Sequence, residues 1–176
     1  MSHFLIQRLK RRVNEAKSAV AKPQQRTVLG FTFTEGKSPN RRKSAPKALT
    51  RFKTTVRELT RRTWGISLED RIQRLSRYLV GWREYFGYCE TPAVLRELDS
   101  WTRRRLRCVQ WKQWKGYRRR KAALLQLGVP EDLATTTAWS AKGPWRACHT
   151  TGVQMALTSA YFDALRLPRL ESRQNI

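Results

Sequence analysis

The groups in this sequence whose types and spacing could do chemistry are guanidinium and aromatic side chains. Lys47, Arg51, Arg57 and Arg61 recur on one side of a helical stretch, with Arg62 and Trp64 at its end. Arg71, Arg74, Tyr78 and Tyr85 fall together on one shoulder of the next stretch. Arg103, Arg104 and Arg107 follow, with Trp111 and then Lys115. Arginine offers a planar fork to phosphate oxygens and stacks on flat rings, whereas lysine acts more as a point charge. Cations interleaved with aromatics are the ingredients of RNA or single-strand binding. The chemistry expected is therefore gripping phosphates, with Tyr78, Tyr85 and Trp111 as stacking surfaces for bases.

Bond-making constellations are not legible. The adjacent carboxylate pairs, Glu69-Asp70 and Glu131-Asp132, both read as acids in the first turn of a helix. His3 and His149 have no triad or metal spacing, and Cys148-His149 has no second ligand pair. There is no glycine-rich phosphate loop and no Gly-x-Ser-x-Gly elbow. A two-metal polymerase or nuclease site needs clustered carboxylates. The 13 acids here are spread over a basic chain. No catalytic residue, metal or cofactor is expected.

The totals point the same way. Lys plus Arg is 37 against 13 for Asp plus Glu, a net charge of +24, with Arg outnumbering Lys by more than two to one. Such an excess repels itself unless a polyanion offsets it, and nucleic acid is the natural polyanion. Three cysteines (Cys89, Cys108, Cys148) at wide spacing fit neither a disulfide framework nor a zinc knuckle, and are expected as reduced thiols of a cytosolic-type protein. No run approaches the ~18 apolar residues of a membrane span. The first residues, MSHFLIQRLKRR, have apolar and basic groups in the wrong order for a secretory signal.

The elements that must position these groups are mostly helices. Residues 67–90 are the organising stretch. Leu68, Ile72, Leu75, Leu79, Trp82 and Phe86 recur at steps of four and three, one apolar stripe at helical period. Ser67 is the expected N-cap, with Asp70 completing a box. Before it, Ser44 is expected to cap a helix with Pro46 in its first turn, a stripe of Leu49, Phe52, Val56 and Leu59, and a stop at Gly65. After it, Thr91-Pro92 opens a third helix with Leu95, Leu98, Leu106 and Val109 inward. Residues 117–127 continue helical to Gly128, and Pro130-Glu131-Asp132 opens another helix. Residues 140–151 read as a loop, residues 152–165 as a last short helix, and the end after Leu170 as a polar tail. Upstream, residues 27–34 alternate as a strand with Leu29, Phe31 and Phe33 on one face. Gly30 marks a close backbone approach or a bulge. Residues 41–44 return as a second short strand. Residues 3–12 read as an amphipathic helix, and 13–22 as ambiguous up to Pro23.

Several runs carry a family resemblance. Thr27-Val28-Leu29-Gly30-Phe31-Thr32-Phe33 resembles the last palm motif of group II intron reverse transcriptases, and residues 14–20 resemble the motif before it. Ala45-Pro46-Lys47-Ala48-Leu49-Thr50-Arg51-Phe52-Lys53 looks like the start of their thumb, the maturase-specific domain. Gly81-Trp82-Arg83-Glu84-Tyr85-Phe86 is similar to that domain's Gly-Trp-x-x-Tyr-Phe signature. Leu98-Asp99-Ser100-Trp101 with Arg103-Arg104-Arg105-Leu106-Arg107 resembles its next helix. Lys142-Gly143-Pro144-Trp145-Arg146 and Ala160-Tyr161-Phe162-Asp163 look like the C-terminus of bacterial members.

The resemblance implies a mainly α fold: an antiparallel helical thumb or maturase bundle with a small N-terminal β-hairpin left from the palm. It divides the chain into a palm remnant (1–44), a maturase-specific domain (45–125) and a C-terminal helical extension (126–176). It implies a bacterial, cytoplasmic RNA-binding module that helps a group II intron fold and splice, with that intron RNA as partner and no membrane. The chain departs from the family in lacking the fingers and most of the palm, including the Tyr-x-Asp-Asp metal site, so polymerase activity is not expected of it alone. The alternatives are the thumb of a split reverse transcriptase, docking on a separate fingers-palm polypeptide through Phe4, Leu29, Phe31 and Phe33; a basic architectural protein; or a non-functional relic.

Overall fold

The computed structural model describes residues 21–36 and 39–171. The readings made for residues 3–12 and 13–20, for Phe4 and for the tail beyond 171 lie outside them. Two strands, β1 (Phe31–Phe33) and β2 (Arg42–Ser44), pair antiparallel with Phe31 opposite Ser44 and Phe33 opposite Arg42. Helices follow: α1 (Pro46–Leu59), α2 (Leu68–Phe86), α3 (Pro92–Gln113), α4 (Tyr117–Gln126) and α5 (Glu131–Trp139). Three short ones complete the order: α6 (Pro144–Ala147), α7 (Thr151–Ala156) and α8 (Ser159–Ala164). The described chain is mainly α with one small antiparallel sheet, as the patterning implied.

Helix α2 forms where the local signals coincide. The Ser67 hydroxyl accepts the Asp70 N–H at 3.0 Å and donates to the Asp70 carboxylate at 2.8 Å, satisfying one of the free amides of the first turn. All six stripe residues are buried. Each contributes on the order of 1.5–3 kcal/mol by leaving water. An aromatic chain carries that burial outward: Phe52 of α1 lies 4.8 Å from Trp82, Trp82 lies 4.6 Å from Phe86, and Phe86 lies 5.1 Å from Phe31 of β1. The hairpin is thereby fixed to the far end of α2. Glu90 tightens the junction by donating its N–H to the Arg42 carbonyl (2.9 Å) and accepting the Arg42 N–H on its carboxylate (2.7 Å).

The structure differs from the expected strand at its start. Val28 and Phe31 exchange backbone hydrogen bonds of 2.9 Å around Leu29 and Gly30, whose φ values are +50° and +77°. This is a two-residue turn of the kind that needs both central residues left-handed. Leu29 therefore sits at an exposed tip and does not share a face with Phe31 and Phe33. The glycine reading holds: a Cβ on Gly30 would stand 3.2 Å from the Phe86 ring. Ser44 does not cap α1. It is committed to the strand ladder, its hydroxyl lies 3.1 Å from the Cys89 sulfur, and Ala45 takes the N-cap position. Helix α1 also ends before Gly65, at Leu59.

Beyond α3 the chain folds back in short pieces. Gly128, with φ +80°, closes α4, and the Val129 N–H returns to the Leu124 carbonyl at 3.0 Å. Helices α4 and α5 pack on each other and on α7, where Gly152 abuts Thr137 so closely that a Cβ would lie 2.4 Å from its hydroxyl. The expected loop 140–151 contains α6, which lies against α3. The expected single helix 152–165 is broken at the buried Leu157. Thr158 restarts the chain as the N-cap of α8, accepting the Tyr161 N–H at 3.1 Å. Leu170 is fully buried, and its amide donates to Asp99 of α3 at 3.4 Å. No helix among the described residues is long and apolar enough to cross a membrane.

Candidate nucleic-acid interface

Among the expected phosphate ligands, Lys47, Arg51 and Arg57 are exposed along α1, with Arg61 just after it, Arg74 on α2 and Lys115 beyond α3. Those on α1 and α2 lie off the inward stripes, because Phe52, Val56, Leu75 and Leu79 take up the inward positions. Arg74 also stands 5.4 Å from the Trp64 ring, a contact that holds its guanidinium at the surface. Tyr78 is half-buried against Phe52. Tyr85 is exposed but engaged: its hydroxyl donates to the Leu29 carbonyl at 2.8 Å and its ring stacks on Phe31.

Four of the expected RNA ligands are corrected by burial. Arg71 is fully buried, and its guanidinium donates to the carbonyls of Leu59 (3.1 Å) and Trp64 (3.0 Å). It closes the C-terminal end of α1 and pins the link to α2. Burial alone draws its pKa below the usual arginine value. Arg103 is 3% exposed and held between Asp99 and Asp163. Arg107 donates from Nε to the Leu157 carbonyl at 2.7 Å, with its guanidinium 5.7 Å from the Phe162 ring. Trp111 is fully buried, with the Arg120 guanidinium 4.3 Å from its ring. None of these side chains is free to meet a phosphate or a base.

A cleft takes their place. The end of α1, the residues just after it, α3 and α6 enclose about 300 Å³. Its walls are Arg57, Arg62, Arg105, Trp101 and Trp145, and Thr60 and Cys108 complete the lining. Arg105 is anchored from within: its Nε donates to the Thr60 hydroxyl at 2.6 Å, and Thr60 is itself fully buried. Arg57 and Arg105 both stand 5.5 Å from the Trp101 ring. Arg104 lies 3.6 Å from the Trp145 ring and donates to the Trp145 carbonyl at 3.2 Å. Burial, then the charges of Arg57 and Arg62, hold the Arg105 pKa below its usual value. Among the described residues no carboxylate lies within ion-pair distance of Arg57, Arg62, Arg104 or Arg105.

Sequence reasoning missed this cleft because half of its aromatic wall, Trp145, comes from a segment that read as loop. The usable signal was local: Arg105 follows Trp101 by four residues and so shares its helix face. The sulfur of Cys108, in the cleft lining, lies 3.3 Å from that of the buried Cys148. All three cysteines are free thiols. The hydrogen bond from Cys108 is the largest cause drawing Cys148 down to about 6, with Arg104 and Arg107 assisting, while the same pairing pushes Cys108 up. Among the described residues no three His, Cys, Asp or Glu side chains gather as metal ligands.

Residues 49–126, from the first turn of α1 to the end of α4, match the family model of the group II intron, maturase-specific domain. This segment is similar to that family. The matched segment thus contains α1 from Leu49 onward, all of α2, and the two α3 side chains, Trp101 and Arg105, that wall the cleft. The hairpin and helices α5–α8 lie outside the match. A search of curated proteins finds no match to the chain.

Proposed function

We propose that the chain is an RNA-binding module that grips a group II intron and helps it fold and splice, without copying RNA itself. The similarity of residues 49–126 to the maturase-specific domain of group II introns suggests the class of RNA. The observation that carries the reading is that Lys47, Arg51, Arg57 and Arg61 are exposed on α1 and just after it and, among the described residues, form no ion pair, and that Arg57 also lines the cleft walled by arginine and tryptophan. Burial removes three of the arginines first expected to touch phosphate. The remaining set, Lys47, Arg51, Arg57, Arg61, Arg74 and Lys115, with half-buried Arg104 beside it, sets the electrostatic footprint.

About six phosphate contacts give a log–log salt slope of roughly −4 to −5, an affinity loss on the order of 10³ between 50 and 200 mM salt. Filter binding of a structured intron RNA and of an unrelated hairpin across that range tests both parts of the reading. A flat curve removes the electrostatic grip. Equal affinity for the two RNAs reduces the function to general polyanion binding. A second reading, the thumb of a split reverse transcriptase, draws on Val28 and Leu29, exposed at the hairpin tip beside the half-buried Phe31 and Phe33. Mixing the chain with a fingers-palm polypeptide and measuring primer extension tests it: no gain over that polypeptide alone disposes of it.

A further inference from the structure

The cleft differs from the open face of α1 in kind. The open face offers separated cations, which suit the regular phosphates of any helix. The cleft converges Arg57, Arg62 and Arg105 on about 300 Å³ and flanks them with two indoles. That volume stands at the small end of ligand sites and suits one nucleotide rather than a helix groove. Guanidinium groups gathered without a carboxylate repel one another, and an anion in their midst relieves that repulsion. Arg105 cannot swing away, since Thr60 holds its Nε. Arg104 lies over the Trp145 ring, yet Trp145 remains 40% exposed and lines the cleft. A free phosphate would need the arginines alone. The indoles add a surface for a flat, unstacked ring, and unpaired RNA bases are read in this way.

We propose that this cleft captures a single splayed-out nucleotide of the RNA, its phosphate against Arg57, Arg62 and Arg105 and its base against Trp101 and Trp145. The inference rests on the RNA-binding reading and adds to it a preference for unpaired over paired RNA.

The test uses the full chain and two RNAs of one sequence, a hairpin with an unpaired loop and its stem closed as a blunt duplex. Trp145→Ala is expected to weaken hairpin binding about tenfold, as loss of one base–aromatic stack does, and to weaken duplex binding clearly less. Arg62→Ala is expected to weaken the hairpin more than the duplex. A third RNA, the same hairpin with abasic loop nucleotides, reads the cleft in the unmodified protein and so remains decisive if Trp145→Ala fails to fold. Its affinity should fall to that of the duplex. Abasic and parent hairpins binding equally, or Trp145→Ala weakening hairpin and duplex alike, would overturn the nucleotide cleft while leaving phosphate gripping in place. Absence of salt-dependent binding to all three RNAs would instead remove the RNA-binding reading itself.

Discussion

Replacing Arg103 with Met separates a structural arginine from an RNA-facing one. The Arg103 side chain is 4% exposed and bridges Asp99, at 15%, and Asp163, at 30%. Removing one member of a buried ion pair typically costs ~3–5 kcal/mol, because the other charge is left without a partner. Asp163 keeps Arg169 and is partly solvated, so the low end applies. In a chain of this size each kcal/mol moves the midpoint by ~2–4 °C, so a loss of about 3 kcal/mol lowers Tm by roughly 6–12 °C. Circular dichroism melts measure that shift. Asp99→Asn in the same chain should recover part of it, since the stranded carboxylate is then gone. Below the melt, the salt slope of RNA binding should not move. A Tm within ~2 °C of the parent, together with a slope shallower by ~0.7–0.9, would show that Arg103 meets phosphate and refute the argument from burial.

The exposed cations should behave in the opposite way. Lys47→Ala and Arg51→Ala are each expected to flatten the salt slope by ~0.7–0.9 and to change stability by less than ~0.5 kcal/mol, read by binding titrations and melts. Gly152→Ala should cost ~1–3 kcal/mol by overpacking against Thr137, and a second change, Thr137→Ala, should restore most of it in urea unfolding. The Cys108–Cys148 pair should make stability depend on pH under reducing conditions. Between about 6 and the ordinary thiol value of 9.0 the native pair holds one proton and the unfolded chain two, so stability rises with pH. Above that range the unfolded chain holds fewer protons and stability falls. Cys148→Ser should remove the rising limb of the urea-derived profile and only shrink the falling one, because burial by itself still raises the Cys108 pKa.

What could be read from sequence was what neighbouring residues decide among themselves. Ser67, Asp70 and the stripe from Leu68 to Phe86 lie within one helix, and their roles follow from its period. Gly128 ending α4 is equally local. Ser44 misled because a cap signal competed with strand pairing to Phe31, thirteen positions earlier, and the ladder prevailed. Arg71, Arg103 and Arg107 misled because charge patterning carries no information about distant acceptors. Their partners, Leu59, Asp163 and Leu157, lie 12, 60 and 50 positions away. Trp111 lies on the buried side of α3 because Arg120 and Trp114 close over it. The cleft was half legible, through Trp101 and Arg105, and half supplied by α6.

The polar side of α3 is completed by residues that the family match does not reach. Asp163 answers Arg103, the Leu157 carbonyl answers Arg107, Cys148 answers Cys108, and the Leu170 amide answers Asp99. A polypeptide trimmed to residues 49–126 would bare two cations, Arg103 and Arg107, that the full chain buries, together with the hydrocarbon wall behind them. The family match ends at Gln126, but the polar contacts of α3 cross that border. Expression of a well-behaved fragment therefore requires the chain through Leu170.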